Sequence, residues 1–279
     1  MFSVGYMQGR LSDVVDGKIQ SFPIDTWEQE IVLGSNYQLN LIEWTLDHDG
    51  LSKNPLLTRS GQKRIKKILN THGCKVSSVT ADCFMQFPFW KLEKKFEEKF
   101  TKNFFSVLSA CKKMDIKILV LPCVDNSSID DSYEENRFID YFHEKKDLLT
   151  SFKVDIAIES NFSPKKLKNF IQKLPKNSFF INYDIGNSAS LGFDPEEEIT
   201  EYSSLIKNVH VKDRVLNGTT VPLGEGNADF NSVIKCLSEA NYRGNFILQT
   251  ARDSKSQHLQ ALLKYKKFIE SKLISYYKK

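Results

Sequence analysis

The chain has 279 residues, 41% hydrophobic and 27% charged, enough apolar material to bury a sizeable core. A formal net charge of +4, spread over 39 basic and 35 acidic side chains with lysines on outer helix faces such as 91–95 and 264–267, excludes a nucleic-acid footprint. Five cysteines (Cys74, Cys83, Cys111, Cys123 and Cys236), an odd number without CxxC spacing, argue against a disulfide framework and a cysteine zinc site.

Those cysteines predict a reducing, cytoplasmic setting. The opening MFSVGYMQGR has no charged stretch followed by an apolar run, so no signal peptide is expected. No segment approaches the roughly 18 consecutive apolar residues of a membrane span. No low-complexity linker divides the chain, and residues 1–279 are expected to form one domain.

Short, nearly continuous apolar runs recur along the chain, separated by amphipathic stretches of helical length. Strands are predicted at 2–7, 39–44, 75–80, 116–121, 153–158, 178–183, 209–211 with its flanks, and 245–248. Runs such as IKILVLP and FFINYD fit parallel strands covered on both faces. Helices are predicted at 26–34, 61–72, 90–113, 131–150, 163–174, 194–206, 230–240 and 254–276, with Pro195 as a first-turn proline behind an Asp194 cap. Strict β/α alternation implies parallel pairing with right-handed crossovers, and eight units favour an α/β fold of the (β/α)8 TIM barrel type, as a single domain. The first turn reads Gly5-Tyr6-Met7-Gln8-Gly9-Arg10, without the GxGxxG spacing of a dinucleotide site.

In such a barrel, polar residues at the C-terminal ends of strands read as site residues. In chain order they are Gln8 and Arg10, Glu43 and Asp47, Asp82, Asp125, Glu159, Asp184, His210 and Lys212, then Gln249 with Arg252 behind it. Glu159, Asp184, His210 and Gln249 fall on four successive strands, 25, 26 and 39 residues apart, and therefore on one arc of the rim. Two carboxylates, an imidazole and an amide oxygen form a hard donor set suited to one divalent ion, Mn2+, Mg2+, Co2+ or Zn2+. An ion there would polarise a carbonyl.

The stretches IAIESN, INYDIGN, NVHVKDR and GEGNADF, with IEWTLD on the second strand and GYMQGRLS on the first, resemble the sugar isomerase/epimerase superfamily built on the xylose isomerase-like barrel. The likeness spans most of the chain, and HxKD together with GEGxxxF is fairly specific to that superfamily without selecting a substrate. The resemblance implies a divalent metal held by Glu159, Asp184, His210 and position 249. In members that epimerise ketoses, the first and last ligands are glutamates that face each other across the substrate and alternate as base and acid. This sequence departs from that pattern in two places: position 249 is Gln, and Asn187 stands where the family has histidine. An amide oxygen still ligates, but it takes no proton from carbon.

The expected activity is metal-dependent isomerisation or epimerisation of a small sugar or sugar phosphate. Glu159 would be the base, with Lys212 or a metal-bound water as the partner acid. Gln8, Glu43 and Asn187 are candidate substrate-binding residues, Glu43 being equally readable as a group that supports the site from behind and as a barrel-layer residue. Arg10, Lys212, Arg214 and Arg252 are candidates for an anionic substituent. The aromatic group Phe84, Phe87, Phe89 and Trp90 reads as packing or as a lid over the substrate. Gln249 also motivates a lyase or dehydratase on the same scaffold, or a sugar-binding barrel without catalysis. A DNA-cutting phosphodiesterase on this barrel needs a histidine-rich metal cluster, whereas His210 alone of five histidines falls at a strand end. No nucleic-acid or membrane partner is expected, and a homo-oligomer is compatible with the sequence.

Overall fold

β-Branched and aromatic residues in short runs, each covered by a helix, close into a barrel of eight parallel strands. These are β1 (Ser3–Met7), β2 (Leu41–Thr45), β3 (Lys75–Thr80), β4 (Ile118–Cys123), β5 (Asp155–Ser160), β6 (Phe179–Asp184), β7 (Ile206–Val211) and β8 (Asn245–Leu248). They close in the order β1-β8-β7-β6-β5-β4-β3-β2. The computed structural model describes residues 2–277 apart from Asp16, Ile19 and Ser254. Among them, no helix is long and apolar enough to cross a membrane.

Several element limits differ from the sequence expectation, for local backbone reasons. The fourth and fifth strands start two residues later than expected, at Ile118 and Asp155. Asp115 (φ 59°) and Lys153 (φ 56°) are left-handed helix stops, and the Ile116 N–H closes back onto the Cys111 carbonyl at 2.9 Å. The strands consequently run on through Cys123 and Ser160, and Glu159 lies within β5 rather than beyond it. β2 likewise begins at Leu41, because Leu39 N bonds the Gly34 carbonyl at 2.9 Å as a helix stop.

The helix expected over 90–113 runs Glu97–Met114, and the one expected over 131–150 is broken at Lys145 into Ser132–Glu144 and Lys146–Phe152. The helix expected over 194–206 ends at Tyr202, and Ile206 opens β7. The last helix begins at His258 rather than at Ser254, which lies outside the described residues. Gly34, where the helix expected over 26–34 ends, is instead a close approach inside Trp27–Asn36: a Cβ there would lie 3.0 Å from the Tyr6 hydroxyl.

The aromatic group after β3 is packing, not a lid. Phe84, Phe89 and Trp90 are buried, and the Trp90 indole donates to the Ser127 carbonyl at 3.0 Å. Phe89 stands 4.5 Å from the Phe100 ring and 4.3 Å from Tyr141, while Phe138 and Phe142 are 4.8 Å apart. These rings fill the layer between the β3–β5 side of the barrel and its covering helices. Phe87 remains near the rim, stacked on His48 at 4.9 Å.

Candidate active site

Strand alternation turns Asn182 and Asp184 inward on β6, and Asn208 and His210 inward on β7. Register then places Asn182 beside Asn208 and Asp184 beside His210. Glu159 on β5 completes the arc. Glu159, Asp184 and His210 are all buried, and one ligand-type atom from each lies within 4.8 Å of the others. His210 Nδ1 faces Glu159 Oε2 at 3.1 Å and Asp184 Oδ2 at 3.8 Å, while Nε2 meets Glu43 Oε1 at 2.7 Å.

Glu43, wholly buried on β2, also accepts from Ser78 Oγ (2.7 Å) and Asn208 Nδ2 (2.9 Å). A carboxylate only accepts, so it fixes the imidazole proton on Nε2 and turns Nδ1 toward the acidic pair. Asn182 bridges the group: its Nδ2 is 2.8 Å from Glu159 Oε2 and its Oδ1 accepts from Asn208 at 2.9 Å.

Buried charges of both signs meet here. Burial opposes a charge on His210, yet Glu43, Asp184 and Glu159 outweigh it and lift the imidazole well above its ordinary value. Burial likewise opposes a charged Asp184, but Lys212 and His210 hold that carboxyl below the usual range. Two carboxylates and a nitrogen aimed at one point fit a hard divalent ion.

Lys212 and Gln249 sit at the next level outward. Lys212 Nζ lies 2.9 Å from Asp184 Oδ2 and 3.3 Å from Gln249 Oε1, so the amide adjoins the acidic cluster through this ammonium. The lysine stem passes over Gly186, where a Cβ would stand 2.7 Å from its Cγ. Asn187 donates to Glu159 Oε1 at 2.6 Å and accepts from Arg214 Nη1 at 2.9 Å, and Arg214 also holds the Gly218 carbonyl. Asp213 of the HxKD motif clamps the GEGN loop by accepting from the Gly224, Gly226 and Ala228 N–H groups at 2.8, 3.0 and 3.1 Å.

A cleft of about 170 Å3 opens above the cluster, walled among others by Arg10, Gln20, Asp82, Glu159, Lys212 and Gln249. Asn187 also lines it. The remaining sequence candidates lie elsewhere. Glu43 sits beneath the cluster, and Gln8 is buried against the Thr45 backbone. Arg252 donates to the Gly9 and Ser12 carbonyls and ties down the loop after β1, and Arg214 is engaged by its own loop.

Sequence reasoning missed Asn182 and Asn208, although each stands two residues before a site residue on the same strand face. It also passed over Gln20, which no periodicity marks. The loop after β1 lays that side chain across the cleft, where its Oε1 accepts from Arg10 (3.1 Å) and Gln249 (3.2 Å) and its Nε2 donates to Asp82.

The sequence pattern of the xylose isomerase-like TIM barrel matches residues 36–269. The chain belongs to that family. It is 25% identical over 265 residues to a Haemophilus influenzae protein with the provisional name L-ribulose-5-phosphate 3-epimerase SgbU, covering 88% of this chain and 90% of the relative. An inosose dehydratase from Clostridium tetani is 29% identical over 113 residues, 33% of this chain and 38% of its own. Among solved structures, the IOLI protein with a bound zinc atom superposes with a TM-score of 0.78 at 16% identity, covering all of both chains.

Proposed function

We propose that this member of the family is a divalent-metal-dependent epimerase or isomerase of a small ketose or ketose phosphate. The observation that carries the reading is the buried Glu159–Asp184–His210 cluster, with His210 held by Glu43 from behind, at the floor of a polar cleft. The near full-length match to a relative named as a sugar-phosphate epimerase supports it.

A divalent ion held by Glu159, Asp184 and His210, with Gln249 nearby, would supply Lewis acidity for the negative charge that develops on the substrate carbonyl oxygen. Glu159 takes the proton from the carbon next to the carbonyl, its carboxylate oriented by the Asn182 and Asn187 amides. Lys212 carries positive charge at the cleft wall beside Asp184, where it stabilises the enediolate and can protonate an oxygen. Arg10, at the cleft wall, is placed for an anionic substituent.

Two measurements test this. Elemental analysis is expected to find about one divalent ion per chain in the wild type and little in a Glu159→Gln/His210→Ala double variant. Wild-type protein in D2O with L-ribulose 5-phosphate and other ketoses is expected to place deuterium on carbon, and Glu159→Gln to abolish it. Neither metal nor exchange, after incubation with Mn2+, Co2+ and Zn2+, would sink the reading. The neutral Gln249 and the partial match to a dehydratase favour a second reading, elimination of water on the same site, for which the product is lighter by one water.

A further inference from the structure

Inverting a carbon through an enediolate requires a proton removed on one face and a proton delivered on the other. The Gln249 amide does neither. Its surroundings are built for an amide: Oε1 faces the Lys212 ammonium at 3.3 Å and Nε2 faces Gln20 Oε1 at 3.2 Å. Gln20 is fixed in that sense, because the same Oε1 takes a hydrogen bond from Arg10 Nη2 at 3.1 Å and arginine only donates. A carboxylate at 249 would therefore meet an acceptor.

The fixed amide of Gln20 leaves its Nε2 to donate to Asp82 Oδ2. The chain Gln249–Gln20–Asp82 links the end of β8 to the end of β3, where a carboxyl is found. Asp82 opens the short helix Asp82–Met85 directly after β3, is buried, and lines the same cleft as Glu159 and Lys212. In the closed strand order β3 stands opposite β7 and a quarter of the circle from β5. Asp82 thus approaches a molecule lying on the cluster from a direction different from that of Glu159.

We propose that Asp82 is the second proton-transfer residue of this enzyme, exchanging a proton with the substrate carbon on the face that Glu159 does not reach. This rests on the epimerase reading above. Glu159 takes the carbon-bound proton, and the C–H electron pair moves to form the enediolate. The carboxylic acid of Asp82 then gives its proton to that carbon from the other side, the carbonyl re-forms, and Asp82 is left ionised and Glu159 protonated. Both reset by exchange with water.

Two features suit Asp82 to the task. Its holders are donors: Thr80 Oγ1 gives to Oδ1 at 2.9 Å and Gln20 Nε2 gives to Oδ2. A proton on Oδ2 finds no acceptor in the Gln20 amide nitrogen and is offered to the cleft. Burial, with the Asp47 and Glu159 charges adding to it, pushes this carboxyl up to about 7 despite Thr80 and Gln20, so both protonation states are populated near neutrality.

The test compares wild type, Asp82→Asn and Asp82→Glu, all loaded with Mn2+, in D2O with L-ribulose 5-phosphate and a panel of other ketoses. Asp82→Asn is expected to lose net epimerisation by about 100-fold or more. It should still place deuterium in recovered, unepimerised substrate, because Glu159 continues to remove and return a proton on its own face. Its bound metal and thermal midpoint should stay as in wild type, and Asp82→Glu, which keeps the acid, should recover part of the turnover. A merely structural role would lower exchange and turnover together. An Asn variant that epimerises at the wild-type rate overturns the proposal. So does a folded, metal-loaded Asn variant that has lost exchange as well, or a folded Glu variant as inactive as Asn. If wild type places no deuterium in any ketose, the epimerase reading itself falls, whatever the variants do.

Discussion

Two buried regions, one outside the strand barrel and one inside it, are held together in different ways. Outside the barrel, Phe89, Phe100, Phe104, Phe138 and Phe142 form a cluster in which each ring touches several others at 4.5–6.2 Å. Inside it, Glu43, Ser78, Asn182, Asn208 and His210 form a directional hydrogen-bond network centred on the Glu43 carboxylate and the Asn182 amide. Ring packing is non-directional and adds stability in proportion to area. The network contributes little net stability, because its bonds replace bonds to water, but it dictates where one imidazole nitrogen points. The fold should therefore depend most on the first region and the chemistry on the second.

Phe138→Ala gives the largest expected effect. Phe138 is wholly buried and contacts Phe89, Trp90, Phe142 and Phe170. Its truncation should cost about 3–5 kcal/mol in denaturant unfolding. Metal affinity of the folded fraction should be unchanged, and a parallel loss of metal would mean the two regions are not separable.

A second test uses pH and a buried carboxyl outside both regions, since phenylalanine rings do not titrate. Glu30, buried on the helix after β1, accepts from the Gly9 and Leu11 N–H groups, yet burial pushes it up from 4.5 to about 7. The raised value means the folded chain holds this proton while the unfolded chain releases it. Stability from this group is therefore full below about 4.5 and is lost as pH rises to about 7. The difference in unfolding free energy between wild type and Glu30→Gln should fall by about 3 kcal/mol across that window. A difference that stays flat would show that Glu30 remains ionised, held by its backbone donors.

The barrel and the arc of Glu159, Asp184 and His210 were legible because both are periodic. Strands repeat every βα unit, and a charge ending an apolar strand stands out against its neighbours. Asn182 and Asn208 were legible by the same two-residue alternation, but a neutral amide does not stand out as a carboxylate does. Gln20 and Arg252 were not legible in their roles, since the course of the loop after β1 decides what they reach. Arg252 was read as a ligand for an anion, whereas it donates to Gly9 and Ser12 carbonyls and holds that loop in place. Glu43 was equally legible as a group supporting the site from behind and as a barrel-layer residue, and the 2.7 Å approach to His210 Nε2 favours the first.

That positioning role yields the smallest of the expected effects and the most specific. Glu43→Gln keeps the size of the side chain but removes its charge and replaces one acceptor by a donor, facing three groups that all donate: Ser78, Asn208 and His210. Whichever way the amide turns, one donor loses its partner, and His210 loses the anion that raises its basicity and fixes its tautomer. Affinity for Zn2+ or Mn2+, read by chelator competition, should drop about 10–100-fold, which is about 1.4–2.7 kcal/mol. The Phe138→Ala protein, though far less stable, should bind as wild type does. If Glu43→Gln binds metal unchanged, the positioning role of Glu43 falls.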